Sequence, residues 1–304
     1  MLSYLHGFHA GNHADILKHL CLLYTIQYFN KKDKPYSVFD THSGRGLYDL
    51  QDEKALKTGE AARGIGKLLE ASETFPESVP QELCEYLNFV KKSLGKGFYP
   101  GSPAIEKSFL KEKSSLFLTE LHKTEFEALG HNLKKIENNT ECLVKIENKD
   151  GFAFLKASTP PDIKRGFILC DPSYEEKSDY ENASSILVDV HKKWCGATIL
   201  LWYPLLQNRA DDIENMKQRI LAYAKKQNAN TEILDAKLCI DTENSHVETS
   251  LKEAIGSAKP RLYGSGMFIV NPCWGLKEHL EKCLPYLTQI LQSDQNGSWS
   301  VSLL

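Results

Sequence analysis

From residue 115 to residue 227 the chain alternates with a regularity that leaves few folds open. SLFLTEL (115–121) is followed by TEFEALGHNLKKI (124–136), and CLVKIE (142–147) by GFAFLKA (151–157). GFILCD (166–171) is followed by ENASSILVDVHKKW (181–194), and ATILLWYP (197–204) by RADDIENMKQRILAYAKKQ (209–227). The first member of each pair is an apolar run of strand length. The second repeats its apolar residues at helical spacing. Strands that alternate with helices predict a mostly parallel sheet covered on both faces, the doubly wound α/β class. Two further strands, EILDAKLCI (232–240) and SGMFIVNP (265–272), precede a last helix, LKEHLEKCLPYLTQIL (276–291). No clear helix separates those two strands, which leaves one of them open to running antiparallel.

Upstream, ADILKHLCLLYTIQYF (14–29) places Ile16, Leu20, Leu23 and Gln27, with Leu17, Tyr24 and Tyr28, at helical spacing, with Asn12 as N-cap and Asp15 three residues later. SVFDTH (37–42) is the first of seven expected strands. It breaks into SGRG, where Gly44 and Gly46 permit a tight turn. Residues 47–98 hold no good strand and two helical patterns, around GEAARGIGKLLEAS and PQELCEYLNFVKKSL. They read as a helical insertion within a single domain of residues 1–304, and 104–111 reads as a short helix leading back to the sheet.

Apolar residues make up 41% of the chain and charged residues 25%, as in soluble globular proteins. A net charge of −3 gives no global basic field, so a nucleic-acid partner would need a local basic patch. The eight cysteines include no C-x-x-C pair and read as reduced, mostly buried hydrophobes rather than as disulfides or zinc ligands. His6, His9, His13, Asp15 and Lys18 interrupt the apolar residues of the N-terminus as no signal peptide would. No apolar run approaches the roughly 20 residues that span a bilayer. The expectation is a cytoplasmic, monomeric protein without a membrane or metal partner.

In a doubly wound sheet, ligands bind beyond the carboxyl ends of the strands, near the switch in strand order. The first strand is followed by Asp40-Thr41-His42-Ser43-Gly44-Arg45-Gly46, the second by Glu120, the third by Asp150-Gly151, and the fourth by Asp171-Pro172-Ser173-Tyr174. An acidic residue that closes a strand is usually a helix cap. Four such exits on one sheet edge suggest more. The first turn is neither a P-loop nor a full G-x-G-x-x-G. Glu120 stands where a carboxylate holds ribose hydroxyls, and Asp150 could accept from the exocyclic amine of adenine. This is the layout for an adenosine-bearing cofactor without a pyrophosphate. Asp171 and the Pro172 carbonyl could each accept one N–H of a second amine, with Tyr174 stacking on its ring. Taken alone, the same residues read as an ordinary strand exit. Asn271-Pro272-Cys273-Trp274 has similar chemistry but follows the last strand, where Pro272 need only stop the strand.

With these residues in hand, the chain resembles the class I S-adenosylmethionine-dependent methyltransferases that carry an aspartate-proline-proline-tyrosine motif. More closely, it resembles the RlmJ family, which methylates N6 of adenine in 23S ribosomal RNA. MLSYLHGFHAGNHADILKH, DKPYSVFDTHSGRG, TGE, YPGSP, LTELH, DGF, DPSYE, LWYP and SGMFIVNPCW carry the likeness. The resemblance implies a Rossmann-like methyltransferase fold with a seven-stranded sheet and an insertion after the first strand. It implies S-adenosylmethionine as cofactor, with contacts from His19, His42, Ser102, Glu120, Asp150 and Gly151. It implies Asp171 as catalytic acceptor and Tyr4 as a contact to the large-subunit RNA. Lys18 stands in the matching N-terminal motif, near cofactor or base. Ser173 departs from the pattern, replacing the family's second proline, while Asp171 and Pro172 are kept. Lys18, Arg45, Arg63 and Lys67 are the basic residues expected to meet RNA.

Other readings share part of this layout. Adenine in DNA or the side-chain amide of a protein glutamine would suit the same clamp, although amide-modifying enzymes carry asparagine where Asp171 stands. A non-catalytic adenosine- or RNA-binding module would be indifferent to Asp171→Ala.

Overall fold

The structure, a computed structural model, describes residues 5–138, 141–242, 262–293 and 295–304. Helix α1 (His13–Asn30) precedes strand β1 (Ser37–Asp40). Then comes a mostly helical stretch: β2 (Leu47–Tyr48), α2 (Glu53–Thr58), a π-helical turn at Ala62–Gly66 that runs into α3 (Lys67–Thr74), and α4 (Gln81–Leu94). β3 (Tyr99–Pro100) pairs antiparallel with β2, and α5 (Ser102–Phe109) returns the chain to the sheet. The alternation follows as β4 (Ser115–Thr119), α6 (Lys123–Leu133), β5 (Leu143–Glu147), α7 (Gly151–Ser158), β6 (Gly166–Cys170), α8 (Lys177–Lys193), β7 (Thr198–Leu206) and α9 (Ala210–Gln227). β8 (Ile233–Cys239), β9 (Leu262–Val270), α10 (Leu276–Leu291) and β10 (Ser298–Leu303) complete it.

The main sheet runs β10-β8-β9-β7-β6-β1-β4-β5. Successive side chains of a strand face opposite ways, and this assigns them to two cores. Val38, Leu169 and Leu200 join α1, α5 and α10 on one face, while Phe39, Ile168 and Ile199 join α7, α8 and α9 on the other. Both faces of the central strands are thus dry, which is why their sequences are continuous apolar runs. β9 is antiparallel to both β7 and β8.

Among the described residues the seven strands expected in the main sheet become eight. β10 pairs antiparallel with β8 from Ser298 to Leu303. Its sequence, SWSVSL, alternates serine with apolar residues, the pattern of a half-exposed edge strand, in a segment that follows the last helix. The stretch 47–98 contributes Ile65, Leu68, Leu83, Tyr86 and Val90 to the core that also buries α1 and α10.

The order switches at β1: the chain moves outward through β4 and β5 on one side, then returns to β6 and β7 on the other. The carboxyl ends of β1, β4 and β6 therefore open onto one crevice. β9 runs the opposite way, so Asn271-Pro272-Cys273-Trp274 leaves from the other edge. There Asn271 Nδ2 donates to the carbonyls of Cys195 and Ala197, at 2.9 and 2.8 Å. The segment is a strand terminator, away from the crevice. Among the described residues, no helix is long and apolar enough to cross a membrane.

Candidate active site

The crevice holds a cavity of about 320 Å³. Glu120, at the end of β4, lines it beside the turn after β1. The Glu120 carboxylate accepts from the backbone N–H of Gly44 at 2.8 Å and of His122 at 2.7 Å. Each oxygen uses one lone pair in this way and keeps capacity for a second donor. Gly44 reaches Glu120 with φ +59°, where a Cβ would also lie 2.3 Å from the Tyr48 hydroxyl. Burial pushes the Glu120 carboxyl above its ordinary range, against the two backbone donors.

His42, in the turn, sits with its ring edge-on to Phe152, centroids 5.1 Å apart, and its Nδ1 lies 2.8 Å from Thr41 Oγ1. Burial lowers its pKa and favours the neutral ring. Ser102, at the start of α5, donates to Asp40 Oδ2 at 2.7 Å. Asp150 caps α7, accepting from Ala153 N–H at 2.7 Å, and stands exposed at the rim. The helix-cap reading of that carboxylate thus holds together with its place at the cavity. At Gly151 a Cβ would stand 1.9 Å from the Thr41 carbonyl oxygen, so only glycine lets α7 begin this close to β1.

Opposite Glu120 lies the loop after β6. Asp171, Pro172 and Ser173 line the same cavity. Lys18 Nζ donates to Asp171 Oδ2 at 2.5 Å and lies 2.9 Å from Asp15 Oδ1. Burial opposes the lysine's charge, but Asp15 and Asp171 together hold its pKa well above the usual range. His19 also lines the cavity and is fully buried. Its Nδ1 is 3.2 Å from the Tyr99 hydroxyl, and burial lowers its pKa to about 3.

Tyr174 corrects the sequence reading. It has φ +51°, in the left-handed region that costs a non-glycine residue energy, and its ring turns inward. The hydroxyl donates to the Trp202 carbonyl at 2.9 Å, and the ring packs on Tyr180 at 4.6 Å. Only 5% of the residue is exposed, and it does not line the cavity, so this conformation offers no face for stacking. The tight turn instead presents Asp171 to Ser173. Tyr4 lies outside the described residues.

The expected basic patch also changes. Lys18 is buried, and Arg45 is held bidentate by Glu125, at 2.7 and 2.6 Å. Arg63 and Lys67 remain exposed.

Sequence reasoning did not place two further residues at this cluster. Asp15 is 1% exposed and receives His6 Nε2 at 3.0 Å and Gly11 N–H at 2.9 Å on Oδ2. His6 itself lines the cavity. The cap at Asn12 forms as expected, with Oδ1 accepting from Ala14 and Asp15 N–H at 2.9 and 3.0 Å, but Asp15 turns away from it. The available signal was the trio Asp15, Lys18 and His19 at i, i+3, i+4 inside an otherwise apolar helix.

Comparison with known proteins adds the chemistry of relatives. The model of the family described as "RsmJ: Ribosomal RNA large subunit methyltransferase D, RlmJ" matches residues 33–304. The ribosomal RNA large subunit methyltransferase J of Escherichia coli K12 is 35% identical over 305 aligned positions, covering 99% of this chain and 98% of that protein. The protein of the same name from Haemophilus influenzae is 33% identical with the same coverage. A crystal structure of a Legionella pneumophila protein superposes with a TM-score of 0.76 at 28% identity, covering 97% of this chain and 98% of the other.

Proposed function

The chain belongs to the RlmJ family of ribosomal RNA large subunit methyltransferases, and from that premise we propose that it moves a methyl group from S-adenosylmethionine to the exocyclic N6 of an adenine in 23S ribosomal RNA. The observation that carries this reading is one cavity with two differently equipped walls. Glu120 lies on one, and the Asp171–Pro172 pair, with Lys18 behind it, on the other.

The first wall suits the cofactor. Glu120, with acceptor capacity on both oxygens, would hold the ribose diol, and Asp150 at the rim an adenine amine. His42 and Ser102 line the space between, and His19 lines the cavity too. When bound, S-adenosylmethionine supplies a methyl carbon on a positively charged sulfur that leaves as a neutral thioether, so the chemistry needs no metal.

The second wall suits the base. The lone pair of an exocyclic amine is delocalised into its ring and attacks poorly. Asp171 accepts one N–H and the Pro172 carbonyl the other, which turns the lone pair toward the methyl carbon. As the N–C bond forms, the nitrogen gains positive charge, and Asp171 is placed to take the surplus proton. Ser173 leaves both acceptors in place. Lys18 holds Asp171 in position, and Tyr4 would meet the RNA. The protein is proposed to act as a single cytoplasmic domain and a monomer.

The test is to incubate the protein with methyl-labelled donor and protein-free large-subunit RNA from a strain lacking the gene, then map the label. Label on N6 of one adenine is expected. Label on DNA or protein in parallel reactions, with none on RNA, would overturn the substrate assignment.

A further inference from the structure

The Lys18 ammonium is shared by two carboxylates. It contacts Asp171 Oδ2 at 2.5 Å and Asp15 Oδ1 at 2.9 Å. Asp15 lies one helical turn before Lys18 on α1 and does not line the cavity. Its other oxygen is occupied by His6 Nε2 and by Gly11 N–H. Burial resists its ionisation, yet the neighbouring His6 and Lys18 hold the Asp15 carboxyl well below the usual range. The Lys18 cation thus stands between two carboxylates, with His6 on the far side of Asp15. Asp171 Oδ1 meets no donor among the described residues.

A charge balance follows. A buried one-to-one pair of Lys18 with Asp171 would be self-contained, and drawing Asp171 toward a neutral amine would strand the ammonium. With Asp15 present, the lysine keeps a carboxylate partner whatever Asp171 does. We propose that Asp15 is a positioning residue for methyl transfer, anchoring the Lys18 ammonium on α1 so that Asp171 keeps acceptor capacity for the adenine amine. The same carboxylate ties down His6 and the Gly11 turn, which join the N-terminal loop to the cavity. This inference rests on the methyltransferase reading above.

The experiment compares wild type with Asp15→Asn, which keeps the shape and removes the charge. Expected are a kcat for RNA methylation lowered about 10- to 100-fold and a KM for RNA within about threefold of wild type. S-adenosylmethionine affinity by calorimetry should be similarly unchanged. An unchanged kcat, or a loss that resides in KM or cofactor affinity, overturns the proposal, because a merely loosened loop would act through binding. A second readout needs no turnover: NMR of lysine labelled at Cε in the ligand-free protein. Lys18 is faced by Asp15 and His19 from its own helix, by Asp171 from the β6 loop, and more distantly by Asp40, Glu106, Tyr48 and Tyr86 from β1, α5, β2 and α4. Its ammonium should lose its proton at lower pH in the variant, and coincident titrations would contradict the shared charge. Should Asp15→Asn fail to fold, Asp15→Glu replaces it. Glutamate keeps the charge but displaces the ammonium, so a lowered kcat with intact cofactor affinity is expected, and a wild-type kcat contradicts the proposal. If wild type itself transfers no methyl to RNA, the function assignment fails instead, and the NMR titration still decides the role of Asp15.

Discussion

Glu120 and Asp40 sit a few residues apart in space and do different work. Glu120 accepts two backbone donors and faces the cavity. Hydrogen bonds to a charged group contribute about 1.5–3 kcal/mol, so Glu120→Gln should weaken S-adenosylmethionine binding about 10- to 100-fold by calorimetry. Unchanged affinity would remove it from the ribose site. Asp40 is 1% exposed, and burial raises its pKa to about 6 although Ser102 and His42 N–H donate to it. The folded state thus binds that proton more tightly than the unfolded chain, whose aspartates titrate near ~4. The resulting stabilisation is full below about pH 4 and is lost as pH rises through about 6. In urea unfolding from pH 4 to 7, wild type should lose about 3 kcal/mol relative to Asp40→Asn. Parallel stability curves would refute the raised pKa. The places of Asp171 and Glu120 at the cavity were legible because each ends an apolar run with an acid. Asp15 was not, because an aspartate three residues after an N-cap already has a local explanation. Tyr174 was misread because a positive φ leaves no trace in composition.

At the scale of elements, the N-terminal loop, α1 and the helical stretch 47–98 lock together around one glycine. Ile65 N–H donates to the Gly11 carbonyl at 2.8 Å, and a Cβ on Gly64 would meet that same oxygen at 2.2 Å. Gly64→Ala must therefore push the π-helical turn off the loop. An overpacking cost of about 1–3 kcal/mol should appear as a lowered melting temperature together with reduced methyl transfer, since the loop that carries Gly11 also carries His6, and both bond Asp15. Unchanged stability and activity would mean that the turn yields freely. The elements themselves were mostly readable. Alternation from residue 115 onward gives the sheet class, and the central strands are buried on both faces as their sequences imply. The direction of β9 was not readable, because an apolar run has the same composition whichever way it runs. That direction sends Asn271-Pro272-Cys273-Trp274 to the far edge of the sheet.

Across the whole molecule, charge is the point at which sequence told least. With a net charge of −3 the chain cannot attract RNA by its overall field. Of four basic residues that appear interchangeable in sequence, one is buried, one is ion-paired, and two, Arg63 and Lys67, stay exposed. Arg63→Glu with Lys67→Glu should weaken RNA binding and flatten its salt dependence, with cofactor affinity intact. An unchanged salt slope in filter binding would place the RNA elsewhere. On the proposed function, one cavity binds donor on one wall and orients an amine on the other. Asp171→Ala separates the two walls most directly when labelled transfer to large-subunit RNA and donor affinity are measured on the same preparation. Donor binding within a few fold of wild type, with transfer lost, is the predicted result; transfer at the wild-type rate would contradict it.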